Sequence, residues 1–158
     1  MADRGVSPAY PNPEAQQGRA RKDGAAPLLA TWDDVREYAL ALPETTEGGH
    51  FGQLAWRVRE KLFVWERPLR RTDLEALGDT APTGAIVAAR IPDLDARERL
   101  LAAAPEIYFT IPHFSGYSAV LARLPEIGLE ELRELITEAW ICRAPKRLVA
   151  AWEKDSGR

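Results

Sequence analysis

Cysteine is almost absent: Cys142 stands alone, so no disulfide can form within one chain and a cysteine-rich zinc site is excluded. Histidine is scarce, with only His50 and His113 to titrate near neutrality. No run of about eighteen apolar residues occurs, and the first thirty residues hold no apolar core of a signal peptide. Both absences, with the lone thiol, point to a cytoplasmic protein. A basic excess is missing too. The formal charge is −3, so any contact with nucleic acid must rest on a local patch. Nor is there a G-x-S-x-G elbow, a G-x-x-x-x-G-K-[ST] loop or a G-x-G-x-x-G turn. The expected inventory is therefore no catalytic residue, no cofactor and no metal.

What is present is enough for one domain with a substantial core: 158 residues, 46% of them hydrophobic and 28% charged. Composition changes near residue 30. The stretch "MADRGVSPAYPNPEAQQGRARKDGAAP" is rich in proline, alanine and glycine and has no apolar periodicity, so residues 1–30 are expected to be a disordered leader. Residues 31–153 read as a single domain and 154–158 as a flexible tail.

Within the domain, "TWDDVREYALALPE" has Thr31 as N-cap, Asp33 and Asp34 in the first turn and apolar residues at helical spacing. "ETTEGGHFG" reads as a glycine-rich loop. "QLAWRVREKLFVWERP" gives two runs rich in Trp, Val, Phe and Leu about "REK", a β-hairpin. "LRRTDLEALGDTAPTG" reads as a polar connection before the strand "AIVAAR", and "IPDLDARERLLAAAPE" as a second helix. "IYFTIP" and "YSAVLARL" are strand-like with "HFSG" between them, and "GLEELRELITEAWICRAPKRLVAAWEK" closes the chain as two helices broken at Pro145. Hairpin-connected strands with helices at the ends specify an α+β fold, an antiparallel sheet covered on one face by helices.

The stretches "TWDDVREYALALPETTEG", "VREKLFV", "PEIYFTIPHFSGYSAVLARL" and "ELRELITEAWICRAPKRLVAAW" resemble the MmcQ/YjbR family over residues 31–153. The resemblance implies a CyaY-like, double-wing two-layer sandwich and a DNA-binding role.

Two sets of residues are candidates for function. Arg57, Arg59 and Lys61 at the hairpin tip, with Arg143, Lys146 and Arg147 at the break between the last helices, would contact phosphates of DNA, mainly its backbone. Alternatively, His113, Tyr117, Trp56 and Trp65 would border a pocket for a small molecule or a partner protein, without catalysis. His113 itself is expected in a turn shaped by Pro112 and Gly116, His50 in a polar loop, and Cys142 in packing.

Overall fold

The computed structural model describes residues 29–157. The first helix, α1 (Trp32–Leu40), begins at the cap the sequence offers: the Thr31 hydroxyl accepts from Asp34 N at 3.4 Å, and the Asp34 carboxylate accepts from Thr31 N at 2.9 Å. These reciprocal bonds satisfy two backbone donors at the helix start. Six strands follow with helices between them: β1 (Thr45–His50), β2 (Gln53–Val58), β3 (Lys61–Glu66), α2 (Arg71–Leu77), β4 (Ile86–Arg90), α3 (Leu94–Ala103), β5 (Tyr108–Phe109) and β6 (Ala119–Arg123). Helices α4 (Leu129–Arg143) and α5 (Lys146–Ser156) complete the chain.

The strands form one sheet in the order β1-β2-β3-β4-β6-β5, and every neighbouring pair is antiparallel. The α+β architecture read from the sequence is the one the chain adopts. Helices α1, α3, α4 and α5 pack on one face, over a core that includes Val35, Trp56, Phe63, Val87, Val120, Ile136 and Trp140. The other face carries a smaller core of Ala55, Trp65, Ile86, Ala88, Phe109, Phe114, Ala119 and Leu121. Burial on both faces explains why "IVAAR" and "AVLAR" read as continuous apolar runs rather than alternating ones. None of the helices among the described residues is long and apolar enough to cross a membrane.

Several local expectations are corrected. "TTEGGH" is not a loop but the edge strand β1, paired along its length from Thr45↔Val58 to His50↔Gln53. It is largely exposed, and what pins it is Glu47: the carboxylate accepts from Arg36 of α1 at 2.8 Å and from the buried Trp56 indole of β2 at 3.1 Å. The polar connection contains α2, whose start is capped by Asp73 accepting from Arg70 N at 2.9 Å. The late strand begins at Ala119, and Tyr117 precedes it. At the chain ends, residues 1–28 of the expected leader lie outside the described residues, whereas its last two belong to the fold. Leu29 bridges Gly128, and buried Ala30 donates to Ile127 O at 3.1 Å. The expected flexible tail is helical as far as Ser156.

If Glu47 fastens the edge strand, Glu47→Ala should cost about 1–3 kcal/mol, because the Trp56 indole N–H is left buried without its acceptor. Urea denaturation with amide exchange checks this. Exchange should quicken selectively in β1, and unchanged stability with unchanged β1 exchange would show that strand pairing alone holds it.

Candidate functional site

The hairpin between β2 and β3 is irregular, and that irregularity builds the site. The register shifts between Trp56 and Arg57: Trp56 pairs with Val64, but Arg57 pairs with Leu62, leaving Phe63 as the extra residue of a β-bulge. Phe63 and Val64 consequently both enter the helix-side core, and Trp65 turns to the opposite, open face with Ala55 and Ala88. Beneath it, Ala55, Ala88 and Ala119 are fully buried and small, leaving room above the sheet for rings.

Three aromatic rings occupy that room. The Trp65 centroid lies 6.3 Å from Phe114 and 6.5 Å from Tyr117, and Phe114 meets Tyr117 edge to face at 5.4 Å. These are separations at which aromatic quadrupoles attract. Phe114 and Tyr117 are placed by a single 3-10 turn, Pro112–Phe114, and by Gly116 at φ 75°, the left-handed conformation glycine adopts without penalty. His113 sits exposed within that turn, as Pro112 and Gly116 predict. Arg90 lies over the Tyr117 ring at 4.6 Å.

The other wall comes from the segment after β3. Arg67 is buried, and its guanidinium pairs with the equally buried Asp73 at 3.1 Å while lying 5.8 Å from the Phe114 centroid. Asp73 therefore both caps α2 and neutralises Arg67, fixing Pro68, Leu69 and Arg70 beside the rings. The resulting cleft has a volume of about 500 Å³ and is lined by His50, Phe51, Trp65, Arg70, His113 and Tyr117 among others. At its mouth is the turn from β1 to β2, where Phe51 has φ 54° and is 84% exposed, its ring 4.7 Å from that of His50. Phe51 and Gly52 both have positive φ, as the two central residues of a tight hairpin turn do, and Arg59 and Glu60 repeat the geometry at the next hairpin.

The structure sorts the candidate residues differently from the sequence. His113, Tyr117 and Trp65 meet at the cleft, but Trp56 does not: it is fully buried on the helix side, stacked 6.4 Å from Trp32. Adjacent strand residues face opposite ways, so Trp56 and Arg57 cannot share a face. The cationic triad at the hairpin is likewise divided. Arg57 pairs with Leu62 of the cleft and points to the open face, Arg59 is ion-paired with Glu44, and Lys61 is exposed at the start of β3. At the second cluster, Lys146 and Arg147 are exposed, while Arg143 is half-buried with Cys142 and Arg90 around a small crevice. The Cys142 thiol is pushed up to about 11 by burial and by Glu138, which keeps it protonated and unreactive at neutral pH. His50 and Phe51 were missed as site residues because "EGGHF" carries no local signal of a wall. Among the described residues no His, Cys, Asp and Glu side chains are grouped to hold a metal ion.

Comparison with known proteins bears on the family. The YjbR family model matches residues 40–142. Uncharacterized proteins of Mycobacterium tuberculosis and Mycobacterium bovis are 50% identical to the chain over 132 residues, covering 82% of it and all of each relative. The crystal structure of Deinococcus radiodurans protein DR2400, a DUF419 domain, superposes with a TM-score of 0.53 at 18% identity, over 72% of this chain and 78% of that one. At that identity the likeness bears on the fold alone.

Burial, then the charges of Arg57 and Arg70, hold the His50 imidazole below the ordinary histidine value. An NMR titration should therefore place its midpoint below that of a free histidine. Arg70→Gln should move the midpoint upward, because one repelling cation is gone; an unmoved midpoint would show that Arg70 does not act on His50.

Proposed function

The chain belongs to the YjbR family, and from that premise we propose that it is a small-molecule-binding module whose site is the cleft on the open face of the sheet. One observation carries this reading: the β-bulge at Phe63 turns Trp65 out of the helix-side core to meet Tyr117 and Phe114, beside His50 and His113, over a floor of alanines. Ligand sites combine apolar, aromatic walls with a few converging polar groups, and cleft volumes of this order hold a small organic molecule. Phe51, exposed at the rim beside His50, suits a side chain that covers a bound ring.

A second reading, weak contact with the DNA backbone, is favoured by the strand register. Because β3 and β4 are antiparallel, the hairpin tip with Arg59 and Lys61 lies at the same end of the sheet as Arg90, and Arg143 adjoins Arg90. Lys146 and Arg147 would extend that end. Against it stand the Arg59–Glu44 ion pair and the orientation of Arg57 toward the open face of the sheet.

The two readings separate in one experiment, backbone and indole NMR shifts recorded with an aromatic fragment set and then with duplex DNA at low salt. Fragments should perturb Trp65, Phe114 and Tyr117, and Tyr117→Ala should weaken them about tenfold, the loss of roughly one well-placed ring contact, with little change in melting. Shifts confined to the hairpin tip and Lys146–Arg147, produced by DNA alone and disappearing steeply with salt, would replace the cleft reading with the DNA one.

A further inference from the structure

We propose that the ligand is an aromatic anion, its ring laid against Trp65, Phe114 and Tyr117 and its carboxylate or similar acidic group held at the corner formed by His50, Arg57 and Arg70. This rests on the reading of the cleft as a ligand site and adds the charge and shape of what enters it.

The corner is assembled from three separate segments. His50 ends β1 and its ring lies 6.3 Å from Trp65, which ties the corner to the aromatic floor. Arg57 lies on the open face of β2, beside the cleft rather than in its lining. Its Nη1 lies 3.6 Å from where a side chain on Gly48 would begin, and Gly48 pairs with Ala55, a residue of the open-face core. The bare backbone at Gly48 thus leaves the guanidinium lying along the edge strand. Arg70 stands exposed on the opposite lip. Both arginines are near enough for their charge to act on His50.

Among the described residues no nearby acid is ion-paired with either arginine, although Glu66 brings one carboxylate to the cleft lining. Asp73 is committed to Arg67 and to the start of α2. Glu47 points to the other face, toward Arg36 and Trp56. Glu66, at the cleft, accepts from Leu54 N at 3.1 Å. Among the described residues neither Arg57 nor Arg70 forms an ion pair with a carboxylate. Two guanidiniums whose charge reaches His50, and which no carboxylate pairs, raise the local potential beside the aromatic wall, so an anion is the species that lowers the energy of the assembled site. Guanidinium forks suit a planar acid because they can donate two parallel hydrogen bonds to it.

Deeper in the wall, Arg67 is 6% exposed, and its Nη2 has no hydrogen-bond partner among the described residues. It lies in the lining of the same cleft. Its charge is balanced by Asp73, but the unmatched N–H edge leaves this wall a donor surface rather than an acceptor one. A neutral aromatic would use the floor and leave the corner idle. Inorganic phosphate would use the corner and leave the exposed Tyr117 ring and the aromatic wall behind it without a partner. Only a molecule carrying both parts matches both halves of the cleft.

The test uses the full chain and three probes: naphthalene-2-carboxylate, its uncharged carboxamide, and inorganic phosphate. Affinities are read by calorimetry, with Trp65 and His50 resonances followed by NMR. The carboxylate should bind at least about tenfold more tightly than the carboxamide and than phosphate, as expected when charge-assisted bonds from the arginines add to the ring contact. In R57Q/R70Q the carboxylate should fall to the level of the carboxamide, while the carboxamide is unchanged; both positions lie on the surface side of the sheet, and unaltered melting confirms that the fold is kept. Equal binding of carboxylate and carboxamide at the cleft, unaffected by the double substitution, would overturn the anion assignment and leave the ligand reading standing. Absence of any shift at Trp65, Phe114 and Tyr117 with all three probes and with the fragment set would overturn both.

Discussion

The open face of this protein depends on one buried ion pair, Arg67 with Asp73, in which both side chains are almost fully removed from solvent. Arg67 prolongs the sheet by donating its backbone N–H to Ile86 O at 3.1 Å, so the pair fastens the segment after β3 to the sheet itself. Asp73 also accepts from Arg70 N, so the same carboxylate starts α2. Through the guanidinium, the segment meets Phe114, and through Phe114 it meets the turn that carries His113 and Tyr117. Two excursions distant in sequence are thereby held at a fixed spacing. A pair buried to this degree gains little net stability against two apolar residues, because desolvation offsets attraction. What it does supply is definition: only one arrangement satisfies both charges.

The second constraint is the bulge. Strand alternation would send Phe63 and Trp65 to one face and Leu62 and Val64 to the other; the extra residue places Phe63 with Val64 and Leu62 with Trp65 instead. Chemistry follows from that exchange. A large ring is delivered to a face floored by alanines, the face to which ordinary alternation along β2 turns Arg57. A cleft results from residues that, in a regular hairpin, would have been split between core and solvent. That is the physical basis for reading this face as a binding surface within a family whose matched relatives are uncharacterized.

Much of the fold was legible because its signals are local. Thr31 and Asp93 announce helix starts by the acceptors they present, and Pro145 separates α4 from α5 by its missing N–H. The apolar hairpin and the run of β4 needed only composition. The edge strand β1 was hidden because "TTEGGH" contains neither alternation nor β-formers, and its order comes from Glu47 reaching Arg36 and Trp56, contacts between segments that no window shows together. Helix α2 was hidden because it is only seven residues long and carries no apolar periodicity, resting instead on Asp73, which caps Arg70 N and pairs with Arg67. Of the site, the turn carrying His113 and Tyr117 could be read from Pro112 and Gly116. Trp56, expected at the pocket, lies in the helix-side core, because alternation along β2 turns it away from the face of Ala55. His50 and Arg70 come to the cleft only through tertiary structure.

The measurement that tests the account most directly is urea denaturation of Asp73→Leu, with the Trp65–Phe114 ring contact followed by NMR. Removing one partner strands a buried guanidinium, so stability should fall by about 3–5 kcal/mol, with much of it regained when Arg67→Met is added. The ring contact should weaken in the single variant. Full stability of Asp73→Leu with the Trp65–Phe114 contact intact would contradict the account, because the cleft would then be held by something other than this pair.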